Sequence, residues 1–308
     1  MHYRYPNFDL MRLFLAGQVA VAHAWYTVDP NFGWPGFVMA VPSFLAISGF
    51  LVLKSYEFSN TWRNFMRKRV LRILPALIVS FVLCLVLQDW LTSWNSVLNW
   101  LTGGLYTLPY RANGPLWSLA WEEAAYVTLA VLWGCGAYRR PIWIWALLAL
   151  SLLVCWALRE APPHYRIITF LAPAFLTGNL MYLYRQYLVK VHPIVPWVFL
   201  VAAVQANYMQ FLSYFGGSLL AVVEAFAVVW VGIAGLRLQP KVVPDISYGL
   251  YIYHMPFIMF LADHGMLSGV QRSILLMFAV TVPFCLVSWF IVEKPILRLK
   301  TRSAVQLA

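Results

Sequence analysis

FDLMRLFLAGQVAVAHAW, residues Phe8 to Trp25, decides what kind of protein this is. The run is long and apolar enough for a bilayer-crossing helix, yet it carries Asp9, Arg12 and His23. A charged side chain at membrane depth costs about 2.5 kcal/mol or more, so such residues face protein or a watery cavity and mark a site. On an ideal helix Arg12 and His23 lie about 16 Å apart along the axis and within about 20° of the same direction. Either residue alone has a structural explanation, with Asp9 tethering Arg12 and His23 bonding a neighbouring helix. Two such residues on one stripe argue for function.

The rest of the chain puts this helix in a membrane. Hydrophobic residues make up 62% of 308, charged residues only 11%, and the mean hydropathy is +0.71. These values lie far outside the soluble globular range. Apolar blocks of about 20 residues recur between short polar breaks. They run roughly over 8–27, 35–54, 73–89, 121–138, 141–158, 167–184, 194–210, 215–236, 246–262 and 273–292. The expected fold is therefore all-α, a polytopic membrane bundle of about ten transmembrane helices forming one domain over 1–308 with no fused soluble domain. The Trp-rich stretch from Trp90 to Trp117 reads as interfacial, because Trp prefers headgroup depth.

The net charge of +11 would suggest nucleic acid in a soluble chain. Here the Lys and Arg residues occupy short loops, so they report topology and no nucleic-acid partner is expected. With the N-terminus inside, all but five of the 22 fall on the cytoplasmic side. Arg111, Arg159, Arg166 and Arg272 lie outside, and Arg12 is within the first helix. By the positive-inside rule both termini are cytoplasmic. The tripeptide Ala22-His23-Ala24 mimics a signal-peptide cleavage site, but Asp9, Arg12 and Gln18 interrupt the required apolar core and the run continues past the cut. Cys84, Cys135, Cys155 and Cys285 sit in apolar blocks without metal-ligand spacing, and no metal is expected.

Two further clusters carry polar residues to the edges of these blocks. RNFMRKRVLRILPA, Arg63 to Ala76, holds a cytoplasmic loop and touches anionic lipid on the plain reading. Lys68, Arg69 and Arg72 run directly into the apolar core, where an Arg fork suits a phosphorylated cytoplasmic ligand. NGPLWSLAWEEAAY, Asn113 to Tyr126, leads from turn residues into a helix with Glu122 and Glu123 expected in its first turn. Acids there can serve the helix dipole alone. At the outer level that the topology assigns to both, one carboxylate can also pair with the His23 imidazole and set its tautomer. Glu224, and His254 in DISYGLYIYHMPF, are further titratable residues in apolar blocks, more often satisfied structural groups than ligands.

These stretches together resemble the integral-membrane acyltransferase type 3 family. That family begins with a helix carrying an R-x10-H spacing, met here by Arg12 and His23. FLAISGFLV around Ser48 resembles its SGFL motif, and RVLRILPA its RxxR-I-x-P entry. PLWSLAWEEAAY, with Trp117 and Ser118, resembles PLWSLSVEEQFY. DISYGLYIYHMPF, with Tyr248 and His254, resembles ISYSLYLWHWP, and VEKP the closing EKP. Six motifs in order over nearly the whole chain make the resemblance specific. Trp121, Ala124 and Ala125 depart from the pattern and bear on acceptor shape.

The resemblance implies transfer of an acyl group, usually acetyl, from cytoplasmic acyl-CoA to a hydroxyl of an extracytoplasmic glycan or glycolipid in a bacterial inner membrane. It implies His23 as general base or acyl carrier, oriented by Glu122, with the CoA phosphates on Arg69, Arg72 and Lys68 and charge neutralised by Arg12. Asp9, Ser48, Trp117, Ser118, Glu123, Tyr248 and His254 would support the site. The competing reading is a proton-coupled transporter using Arg12, His23, Glu224 and His254 as a relay. The paired broken helices of inverted repeats are absent from the sequence pattern.

Overall fold

The computed structural model describes residues 5, 7–31, 37–59, 61–88, 113–161, 169–209, 217–236 and 244–305, and among them no strand occurs. The helices are α1 (Asn7–Val28), α2 (Ala40–Glu57), α3 (Trp62–Leu87), α4 (Trp117–Gly134), α5 (Pro141–Ala157), α6 (Leu171–Leu183), the short α7 (Arg185–Leu188), α8 (Val195–Tyr208), α9 (Gly217–Ala234), α10 (Ser247–Asp263), α11 (Val270–Ser288) and α12 (Lys294–Val305). Each apolar block read from the sequence coincides with a helix. Two continuous helical stretches, Trp62–Leu87 and Val270–Leu299, are by themselves long and apolar enough to cross a bilayer. Large apolar side chains face outward on several helices, among them Leu275 at 71% and Ile291 at 70% exposure. That is unfavourable in water and natural in lipid. Most of the interfacial stretch expected at Trp90 to Trp117 lies outside the described residues.

The chain divides into two compact units. One draws on residues 1–15, 35–59 and 124–241. Its centre is α2, packed against α6 and α9, with α5 on α6 and α8 on α9. A Cβ placed on Gly49 would strike the carbonyl oxygen of Phe175, and one on Gly178 that of Ala46, so α2 and α6 touch backbone to backbone. Without a hydrophobic drive between helices in lipid, this close approach supplies the attraction. The Asn7 carboxamide donates to the carbonyls of Val231, Gly235 and Leu236 at 3.1, 3.1 and 2.9 Å, which ties the start of α1 to the end of α9.

The other unit draws on residues 16–34, 60–123 and 242–308. Its centre is α10, packed on α3 and α11, with α12 against α3. α10 contains Pro256, whose missing N–H would have served the carbonyl of Ile252. The buried Asn113 side chain donates to that carbonyl instead, at 2.7 Å. The same substitution of a side chain for a lost backbone donor ties the turn before α4 to α10.

Three boundaries differ from the sequence reading. α3 starts at Trp62 rather than near residue 73, because the Thr61 hydroxyl accepts the Asn64 N–H at 3.2 Å and the Lys and Arg residues that follow are good helix formers. α4 starts at Trp117, led in by a 3-10 turn over Gly114–Leu116 that contains Pro115, so Glu122 and Glu123 lie beyond its first turn. That corrects the expectation of acids at the helix start. A π turn at Trp289–Glu293 carries α11 into α12, where Pro295 has no N–H to continue the regular ladder.

Candidate active site

His23 is on the second half of α1, in the unit centred on α10. Its ring meets that of His254 on α10, with His23 Nδ1 3.0 Å from His254 Nε2. The ring centroids are 5.1 Å apart and the planes differ by 20°. The ring planes are nearly parallel, and the facing nitrogens are within hydrogen-bonding distance. His254 is wholly buried, and its Nδ1 lies 2.8 Å from the Leu250 carbonyl one turn earlier. His23 is only half-buried. The side chain on Nδ1 of His23 is thus an imidazole, in the place where a carboxylate from Glu122 was expected.

Beside the pair, the start of α4 is bound to α10. Tyr251 OH and Ser118 Oγ lie 2.8 Å apart, and each is 3.2 Å from the Pro115 carbonyl. Trp117 opens the helix and is half-buried. Glu122 and Glu123 are half-buried in the second turn, and Glu122 is near enough to act electrostatically on Tyr248 and Tyr251.

The basic cluster closes on the start of α10. Arg72 Nη2 donates to Asp245 Oδ2 at 2.6 Å, and Ser247 Oγ donates to Asp245 Oδ1 at 2.8 Å. Glu293, at the end of the π turn, also acts electrostatically on Arg72, and its Oε1 accepts from Ser288 at 3.2 Å. Tyr248 OH donates to the Ile73 carbonyl at 3.2 Å. Lys68 and Arg69 lie one turn earlier on α3, with the Arg69 guanidinium 5.8 Å from the Phe65 ring centre. Three motifs remote in sequence meet around Arg72, and its fork is already engaged by an acid. The expectation that Arg72 holds phosphate has a competitor.

Asp9, Arg12, Ser48 and Glu224 belong to the other unit. Arg12 Nη1 is 3.7 Å from Asp9 Oδ1, the ion pair that the i,i+3 spacing predicts. Ser48 is half-buried on α2. Glu224 is fully buried and accepts the Met39 N–H at 2.6 Å, just before α2 begins. Its Oε2 thus ties α9 to the start of α2.

An acyltransferase-domain family model matches residues 5–293 of the chain, the stretch that holds the motifs that built this geometry. The chain belongs to the acyltransferase 3 family. Among its relatives in the family is nodulation protein 10 of Rhizobium leguminosarum bv. viciae, 29% identical over 96% of this chain and 94% of that protein. The O-acetyl transferase of Shigella phage Sf6 is 26% identical over 98% of each. No solved structure matches the chain. Family membership makes this acyltransferase 3 protein an acyltransferase enzyme, and it sets aside the transporter reading.

Sequence reasoning joined His23 and His254 only in the transporter relay and not as a directly bonded pair. It missed Asp245 and Glu293 as partners of Arg72, although both lie in the quoted motifs. The available signal was charge: an acid beside an apolar block implies a basic partner.

Proposed function

We propose that the protein is a multi-pass O-acyltransferase of the bacterial inner membrane. It moves an acyl group, acetyl in the simplest case, from cytoplasmic acyl-CoA to a hydroxyl of an extracytoplasmic glycan or lipid-linked saccharide. The observation that carries this reading is the half-buried His23, with its Nδ1 held 3.0 Å from His254 Nε2. The O-acetyl transferase relative supports O-acetyl transfer as the chemistry.

In this reaction His23 Nε2 takes the proton of the acceptor hydroxyl while its oxygen attacks the thioester carbonyl. The C–O bond forms, the C–S bond breaks, and the proton passes from His23 to the departing CoA sulfur. Glu122 adds negative charge where an imidazolium develops. Lys68 and Arg69 receive the CoA phosphates at the cytoplasmic end of α3, with Arg72 held by Asp245, and Arg12 neutralises charge at the inner end of α1. The pantetheine arm carries the thioester to depth, so charge stays inside and only the acyl end moves outward. Ten crossings with both termini cytoplasmic place the two ends of this path on opposite faces.

Purified protein in detergent or vesicles, given labelled acetyl-CoA and a saccharide acceptor, transfers label. The His23→Ala variant inserts and folds but transfers none. Label transfer at the wild-type rate by His23→Ala sinks the assignment.

A further inference from the structure

We infer that His254 is the positioning residue for His23, holding it in the one tautomer that can act as a base towards the acceptor. This rests on the reading of His23 as the catalytic base. Leu250 O can only accept a hydrogen bond, so His254 Nδ1, 2.8 Å away, carries its hydrogen. A neutral imidazole has one N–H, so His254 Nε2 is a lone pair. His23 Nδ1, 3.0 Å from it, must then be the donor. A neutral His23 has one N–H, now placed on Nδ1, so its Nε2 keeps the lone pair.

The chain of tautomers ends in a group that cannot exchange its role, because a backbone carbonyl has no proton to give. A carboxylate orienting His23 would have to be ionised at membrane depth. A neutral imidazole does the same work without a buried charge. Once His23 takes the hydroxyl proton, the imidazolium still donates from Nδ1 to His254 Nε2, now as the stronger charge-assisted bond. The burial pattern fits this division: substrate can reach the half-buried His23, and nothing needs to reach the fully buried His254.

Three substitutions separate positioning from packing. His254→Phe keeps the ring and removes both nitrogens. His254→Asn keeps a donor for Leu250 and falls short of His23. His254→Gln extends a carboxamide oxygen to where Nε2 lies and can accept from His23 Nδ1. With acetyl-CoA and acceptor in detergent, Phe and Asn should lower kcat by about a hundredfold or more and leave KM for acetyl-CoA within about threefold. Gln should return kcat to within about tenfold of wild type. The inference is overturned if Phe or Asn keeps wild-type kcat, if the loss appears in KM, or if Gln is as impaired as Asn. Should Phe fail to fold, the Asn and Gln pair decides, since both are polar and close in size. A wild type without transfer, or an active His23→Ala, defeats the reading of the enzyme itself. An inactive His23→Ala beside a fully active His254→Asn defeats only this inference.

Discussion

Arg72 shows how a single side chain can answer to two roles. By residue type it is a phosphate fork; by position it is a donor to Asp245 at 2.6 Å, with both side chains about one-fifth exposed. A pair so placed is neither a screened surface contact nor a fully desolvated one, and losing one partner should cost about 1–3 kcal/mol. We expect Arg72→Ala and Asp245→Ala each to lower resistance to denaturation in detergent by that amount. The double variant should lose clearly less than the two together, as a double-mutant cycle reads. If Arg72 served acyl-CoA phosphate alone, the cycle would show no coupling. Asn113 teaches the same lesson about a neutral side chain. It stands in a turn motif, yet its work is to replace the N–H that Pro256 lacks on another helix.

At the scale of elements, helix identity is local and helix contact is not. Thr61 and Pro115 set where α3 and α4 begin, through a cap and a fixed φ. The crossing of α2 and α6 depends on the pairing of Gly49 with Phe175 and Gly178 with Ala46. Rigid backbone on the far side leaves a new Cβ nowhere to go. Gly178→Val and Gly49→Val should each force the helices apart and cost about 1–3 kcal/mol. The measurement is thermal unfolding in detergent, with Gly17→Ala as the control, since a Cβ there meets nothing within 4 Å. An unchanged unfolding temperature for both valine variants would show that the two helices do not need this approach.

Across the whole molecule, the positive-inside count and the apolar blocks expected from the sequence make one prediction about orientation. A reporter active only outside the cytoplasm should stay silent when fused after Val305. The same reporter should become active when inserted at Gly265, between α10 and α11. Activity at the C-terminus would require an odd number of crossings from a cytoplasmic N-terminus and would overturn the proposed placement of donor and acceptor ends. The two compact units share α1 and α4 by residue assignment, so the motifs of the family are distributed over both. Asp9, Arg12 and Ser48 fall in one, His23 and the α10 network in the other.

Composition and the spacing of apolar blocks were enough for an all-helical chain, because lipid leaves a backbone few other ways to satisfy its polar groups. Motif order was enough for the family, and charge counting for the expected orientation. The Asp9 to Arg12 pair was legible too, since i,i+3 neighbours on a helix meet wherever that helix goes. His23 was legible as a candidate, but its partner was not. A carboxylate at the right level looked like the natural orienting group, and only the packing of α1 beside α10 put His254 there. Likewise Arg72 with Asp245, and Asn113 with Ile252, join residues 173 and 139 positions apart. Periodicity determines which face of a helix is polar. Which other helix that face meets depends on close packing among many similar apolar surfaces, and only the tertiary structure decides it.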